Sequence, residues 1–358
     1  MLLRILTVAF FLASAGLAHA SEPRHAVVLV APEVREHEEL NTFVEELRRQ
    51  NLDVFFLSKK IVQVAGHLRE EIERGQIDEE GENSPPHLNE FSNEVLSVIP
   101  KLFEYNEIYV LSSNFLPIEM VRKDGIFAGD HIAISHEFEP ENFAPVASSP
   151  NDRPVLSSYV IEAVIPMDPG FPRMDQDIVK VALNLEQYFP VELHFNSGLR
   201  RIKSVFNRDD IGVLHIDTHG AREGKAIQVS RDGTVMFAHD LPTKLQIPVV
   251  LLFGCDGVAN KEAFGSVLRQ RGAQAVISSF VKFVSFGITG DAEREKDVYE
   301  AFFNSVRKGE SVGIALLRVH QIAQQDIAAS GSRKTLTRLF FVLIGNQQLK
   351  FNIQRSSH

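Results

Sequence analysis

The chain's single cysteine, Cys255, follows the apolar run PVVLLFG (248–254), and His219 follows a second apolar run, GVLHIDT (212–218). In an open parallel sheet, reactive groups collect beyond the carboxyl ends of the strands. If these runs are neighbouring strands, thiol and imidazole emerge at one edge, within reach of each other. A thiol attacks a carbonyl as the thiolate, and a nearby imidazole lowers its pKa or takes its proton. Gly220 lets the backbone turn sharply after the histidine, leaving N–H groups to face a developing oxyanion. Nucleophile, base and oxyanion donors are the parts of acyl transfer.

The same strand carries a rival chemistry. His215, Asp217 and His219 alternate, so they share one face, and H-x-D-x-H is a metal-ligand pattern. A metal-dependent hydrolase needs further ligands from other strand ends; His194 and His239 are available, but nothing in their spacing supports them. His215 lies mid-strand, where a hydrogen-bonded core residue is the simpler expectation. Asp217 can orient a loop or cap a helix instead of doing chemistry. A lone cysteine is a small buried hydrophobe, an intermolecular link or a reactive thiol, and the surroundings of Cys255 favour the last. No metal and no cofactor is expected.

These residues need an alternating α/β framework to position them. The chain has 358 residues, 44% hydrophobic and 23% charged, the balance of a globular protein. Its formal charge of −10 and the lack of a basic stripe argue against a nucleic-acid partner. The N-terminus, MLLRILTVAFFLASAGLAHA, has one basic residue, an apolar run from Ile5 to Leu17, and small residues Ala18 and Ala20 around His19. That is the pattern of a secretory signal peptide over 1–20, cleaved after Ala20, and the apolar run is shorter than a membrane span. The expected protein is therefore exported, periplasmic or secreted, with no stable membrane insertion after cleavage. An exported chain with one Cys builds no internal disulfide.

Beyond the leader, an N-terminal α/β half is expected over 21–150. It has strands at 26–31, 52–57 and 107–112, a helix over 36–50, and a second helix before the third strand carrying Leu96, Ile99 and Phe103. The acidic, apolar-poor stretch 75–87 reads as a solvated loop. A Pro/Ser/Asn-rich break at 139–154 marks the boundary to a second half over 151–358. There the βα rhythm is clearer. Strands are expected at 159–167, 191–195, 212–218, 248–254, 273–280 and 339–344, with helices at 175–189, 198–206, 260–271, 295–307 and 311–324. The stretch 226–238 alternates about Asp232-Gly233, a hairpin signal.

The segment from about 155 to 352 resembles the caspase-like cysteine peptidases, and most closely the CHAT-domain branch related to caspases, gingipains and separase. The matching pieces are VLHIDTHG (213–220), PVVLLFGC (248–255), GAQAVISSF (272–280), AFFNSVRKGESVGIALLRVHQ (301–321) and FVLIGNQQLKF (341–351), in the family's order. The resemblance implies a mostly parallel sheet flanked by helices and a peptidase acting on a protein or peptide. It makes His219 the catalytic histidine and Cys255 the nucleophile, with the backbone N–H groups of Gly220 and Cys255 forming the oxyanion hole. It places the pocket for the residue before the cut at Met167-Asp168-Pro169 and at Ser278 to Lys282. Asp168 there can pair with a basic residue, but a cap on the helix starting near Arg173 or a place in a Pro-flanked turn is the simpler role. Ser279 and Phe280 line the other side, where Phe280 is either the floor of an apolar pocket or a core aromatic at a strand end. Gingipain-like and separase-like enzymes carry a degenerate α/β subdomain before the active one, which is the reading for 21–150. Asp256 departs from the family pattern, and a carboxylate beside the thiol opposes its ionisation unless it points away. The alternatives to a peptidase are a non-cutting caspase-like module that binds a protein or peptide, and the metal-dependent hydrolase on His215, Asp217 and His219.

Overall fold

Short apolar runs become strands and longer amphipathic ones become helices, in strict enough alternation to give one sheet covered on both faces. The computed structural model describes residues 25–36, 40–139, 142–143, 153–164, 174–221, 223–254, 256–281, 292–330 and 336–352. The leader expected at 1–20 lies outside them, as do Asp168, Cys255 and Lys282.

In the N-terminal half the strands are β1 (Ala26–Val30), β2 (Asp53–Phe56), β3 (Glu107–Leu111), the short pair β4 (Arg122–Lys123) and β5 (Ile126–Phe127), and β6 (Ala133–Glu137). Then come β7 (Tyr159–Ala163), β8 (Val191–Phe195), β9 (Val213–Asp217), β10 (Gly220–Ala221), β11 (Ala226–Gln228), β12 (Val235–Phe237), β13 (Val249–Phe253), β14 (Ala275–Ser279) and β15 (Phe341–Gly345). The helices are α1 (Leu40–Arg49), α2 (Lys59–Glu73), α3 (His87–Val98), α4 (Met174–Leu185), α5 (Gly198–Val205), α6 (Phe264–Gln270), α7 (Ala292–Arg307) and α8 (Val312–Ser330).

Ten strands form one sheet in the order β2-β1-β3-β6-β15-β14-β13-β9-β7-β8. All neighbours are parallel except β14 and β15. The fold class is therefore α/β with a mostly parallel sheet. The last strand among the described residues, β15, pairs parallel with β6 of the N-terminal half, so the sheet is continuous across the 139–154 connection. The two halves run in opposite directions and expose their carboxyl edges on opposite sides.

Alternate residues along each strand feed opposite layers. Val27 and Leu29 join the core under α2 and α3, while Ala26, Val28 and Val30 join that under α1. Likewise Val249, Leu251 and Phe253 face the α4, α7 and α8 side, and Val250 and Leu252 face the α5 and α6 side. β11 and β12 pair antiparallel across the Asp232-Gly233 turn, as the hairpin signal predicts.

Among the elements that escape the sequence reading are α2 and β6. α2 opens on Ser58, whose hydroxyl accepts the Ile61 N–H at 3.3 Å, an N-cap. β6 reads AISHE, polar on paper, yet all five residues are buried. Its polar groups find partners: His136 Nε2 lies 2.8 Å from Glu119 Oε1, and Glu137 accepts from Arg269 Nε at 2.9 Å.

Candidate active site

β9 and β13 are adjacent and parallel, with Asp217 opposite Phe253 at their carboxyl ends. The Thr218 N–H continues the ladder, donating to the Phe253 carbonyl at 2.9 Å. His219 therefore leaves β9 beside the point where the chain enters Gly254, the residue before Cys255. Gly254 lies close against this turn: a Cβ built on it meets the Thr218 carbonyl oxygen at 3.4 Å and the Gly220 nitrogen at 3.5 Å. The residues flanking His219 thus pack on the residue preceding Cys255. His219 itself is half-buried.

The hairpin clasps the histidine loop. Gln228 N–H donates to the His219 carbonyl at 2.9 Å, and the Thr218 hydroxyl donates to the Gln228 carbonyl. Gly220 pairs with Ile227 across β10 and β11. Gln228 carries no motif; the Asp232-Gly233 turn is the signal that puts it here.

On the far side of Cys255 the backbone is held as firmly. Asp256 sits in the left-handed region at φ 56°, and its N–H donates to the Val281 carbonyl at 3.0 Å. The turn at Gly224, with φ +78°, touches Asp256 so closely that a Cβ there falls 2.0 Å from the Asp256 carbonyl oxygen. Phe264 N–H holds that turn by donating to the Gly224 carbonyl at 2.7 Å. Ser278, on β14, donates its hydroxyl to the Leu252 carbonyl at 2.7 Å.

Other residues singled out from the sequence occupy different surroundings. His215 is buried mid-strand, its Nδ1 3.1 Å from the Tyr159 hydroxyl and its ring edge-on to Phe253. Burial lowers its pKa to about 3. It is a hydrogen-bonded core residue, the simpler of the two expectations. Among the described residues no three His, Cys, Asp or Glu side chains come together as a metal-holding group. His194 lies on edge strand β8 against Arg201, and His239 stacks on Phe237. Ser279 is buried and its hydroxyl donates to the Val281 carbonyl at 3.0 Å. Phe280 is buried too, stacked on Phe115 at 4.2 Å and edge-on to Phe340. Its ring belongs to the core that joins the two halves, because β14 lies beside β15, which in turn pairs with β6 of the N-terminal half.

No family model matches the chain, and no curated protein matches it. Among solved structures it is similar to a chain of the Saccharomyces cerevisiae separase–securin complex. The crystal structure at 3.0 Å gives 12% identity and a TM-score of 0.43, covering 70% of this chain and 15% of that one. A second crystal structure of the complex, at 2.6 Å, gives 12% identity and a TM-score of 0.41 over 67% of this chain and 15% of that one. A periplasmic ribose ABC transporter from Conexibacter woesei DSM 14684 gives 9% identity and a TM-score of 0.21, over 79% of this chain and 85% of that one. The chain thus spans about 15% of the length of the separase–securin chain that it matches.

Proposed function

We propose that this chain is an exported, caspase-like cysteine peptidase that hydrolyses peptide bonds through Cys255 and His219. The observation that carries the reading is the contact of Gly254 with Thr218 and Gly220 at the paired ends of β9 and β13. It brings the backbone on both sides of His219 to the residue before the only thiol. In this reading the Cys255 sulfur, ionised with help from His219, adds to the substrate carbonyl carbon. The oxyanion is met by the backbone N–H groups of Gly220 and Cys255. The C–N bond breaks as the imidazolium gives its proton to the leaving amine. Water, deprotonated by the same imidazole, then hydrolyses the thioester and frees the sulfur. Asp168 is the proposed acidic contact for the residue before the cut, and the leader over 1–20 is the proposed export signal.

One observation favours the non-cutting alternative. Asp256, next to Cys255, is a buried carboxylate, and a negative charge facing the sulfur opposes its ionisation. The test is cleavage of a peptide library under reducing conditions by the wild type, Cys255→Ala and His219→Ala. Loss of activity by several orders of magnitude in each, with the fold intact, is expected because paired catalytic residues act as a unit. A Cys255→Ala variant that cleaves at the wild-type rate removes the thiol from the mechanism.

A further inference from the structure

We propose that β8 is a self-pairing edge, through which two copies of this chain join antiparallel into one continuous sheet. β8 ends the ten-stranded order and, among the described residues, pairs with β7 alone. Protein sheets usually protect such an edge with lysine, proline or a covering segment. β8 reads VELHF, without lysine or proline, and all five residues are half-exposed.

The phase of its hydrogen bonding follows from two contacts. Tyr159 N–H donates to the Pro190 carbonyl at 3.0 Å, and Asn196 N–H donates to the Ala163 carbonyl at 2.8 Å. In a parallel ladder the inward groups alternate, so those of Glu192 and His194 face β7. The N–H and C=O groups of Val191, Leu193 and Phe195 point out of the sheet. A two-fold axis through Leu193 sets Leu193 opposite its own copy and Val191 opposite Phe195. These are the hydrogen-bonded positions of an antiparallel pair, and every outward group finds a complement.

The same axis sets Glu192 opposite His194 of the second copy, in the close, non-hydrogen-bonded position where opposite charges or donor–acceptor pairs help most. The edge thus matches itself in backbone, and in a side-chain acceptor set opposite a side-chain donor. Arg208 holds the Glu192 carboxylate with two hydrogen bonds, 2.6 and 2.7 Å. His194 presents Nε2 to Arg201 Nη2 at 2.6 Å. Arginine, which only donates, is the nearer partner, so that nitrogen accepts, with Oε2 of the same strand's Glu192 farther off at 3.5 Å. The ring N–H is thus assigned to Nδ1, where the carboxylate across the seam can accept it. On the other face, Val191, Leu193 and Phe195 pack into the core beneath α4, α7 and α8. Two of the four exposed large hydrophobic residues described, Val179 at 36% and Leu183 at 58%, lie one turn apart on α4 beside this edge. They extend the apolar side of the seam.

A seam of this length is small for a protein interface, so the dimer is expected to build up between about 1 and 100 µM. Sedimentation velocity of the full chain over that range should show a doubling of mass in the wild type and a monomer throughout in Leu193→Lys. A second measurement avoids dependence on that variant's folding. Leu193→Cys in a Cys255→Ser background should form a disulfide-linked dimer on mild oxidation, because hydrogen-bonded antiparallel partners lie about 5.5 Å apart, within disulfide reach. Val54→Cys on the opposite edge strand, β2, should stay monomeric. Wild-type protein that is monomeric up to the highest concentration, with no cross-link at position 193, overturns the proposal and leaves the edge to a foreign strand. A dimer that persists unchanged in Leu193→Lys also overturns it, by placing the interface elsewhere.

Discussion

The Thr218 amide donates to the Phe253 carbonyl at 2.9 Å, one step past the last paired residues of β9 and β13. This bond carries the sheet's register into the two loops that hold His219 and Cys255. It also makes the glycines around the site unequal. Gly254 has room for a methyl group, since a Cβ there makes ordinary contacts of 3.4 and 3.5 Å. Gly224 has none: its φ is +78°, and a Cβ falls 2.0 Å from the Asp256 carbonyl oxygen.

Gly254→Ala should therefore fold with a stability change below about 1 kcal/mol. Gly224→Ala should lose about 2–4 kcal/mol, from the left-handed backbone together with the displaced Asp256 turn. Urea unfolding of the two variants checks this. Equal losses would mean that the Gly224 turn moves freely away from Asp256.

Much of the C-terminal half was legible because its central strands are buried and read as continuous apolar runs. PVVLLFG and the strand around VLHID needed no tertiary information. β6 did not have this property: the polar run Ser135-His136-Glu137 looks like a loop until Glu119 and Arg269, from other elements, supply partners to His136 and Glu137. The same limit explains Phe280. Its place after β14 suggested a pocket floor, and only the pairing of β15 with β6 shows that Phe115 and Phe340 already cover it. The contact of Gly224 with Asp256 joins residues about thirty apart with no shared motif, and follows only from the packing of the hairpin loop on the β13 turn.

Burial of His215 gives the protein a pH dependence with a definite sign. Its folded pKa is lowered to about 3 from an ordinary 6.5, by desolvation. Between those values the unfolded chain binds a proton that the folded chain refuses. Stability is thus complete above pH 6.5 and is lost as pH falls toward 3. The contribution has a limiting slope of about 1.4 kcal/mol per pH unit within the window. His215→Leu should remove that slope while losing the hydrogen bond to Tyr159. Urea unfolding of wild type and variant at intervals through the window measures the difference. Parallel curves would show that His215 titrates normally in the fold.

Arg338 tests what joins the halves. Its guanidinium is buried, donating to both oxygens of Asp130 at 2.9 and 2.7 Å and to Glu79 at 2.7 Å. Arg338→Met leaves two carboxylates in the interior without that cation, and should cost about 3–5 kcal/mol. Adding Asp130→Asn should recover part of the loss, because one of the stranded charges is then removed. Thermal or urea unfolding of the single and double variants reads both effects. A single variant as stable as wild type would mean that water reaches these carboxylates.

The thiol's reactivity separates a peptidase from a binding module. A structural cysteine in apolar surroundings has a raised pKa and resists alkylation, whereas a thiol paired with an imidazole is largely ionised near neutral pH. Native protein should take up iodoacetamide at Cys255 faster than a model thiol does, and His219→Ala should slow that labelling. The buried carboxylate of Asp256 acts against ionisation wherever its field reaches the sulfur. Asp256→Asn should therefore speed labelling, and the ratio of the two rates measures that opposition. Because Cys255 is the chain's single cysteine, the mass of the intact protein reports the modification without ambiguity. Native protein that stays unlabelled until denaturant is added, in the wild type and in Asp256→Asn alike, would exclude a poised nucleophile and leave the fold as a module that binds without cutting.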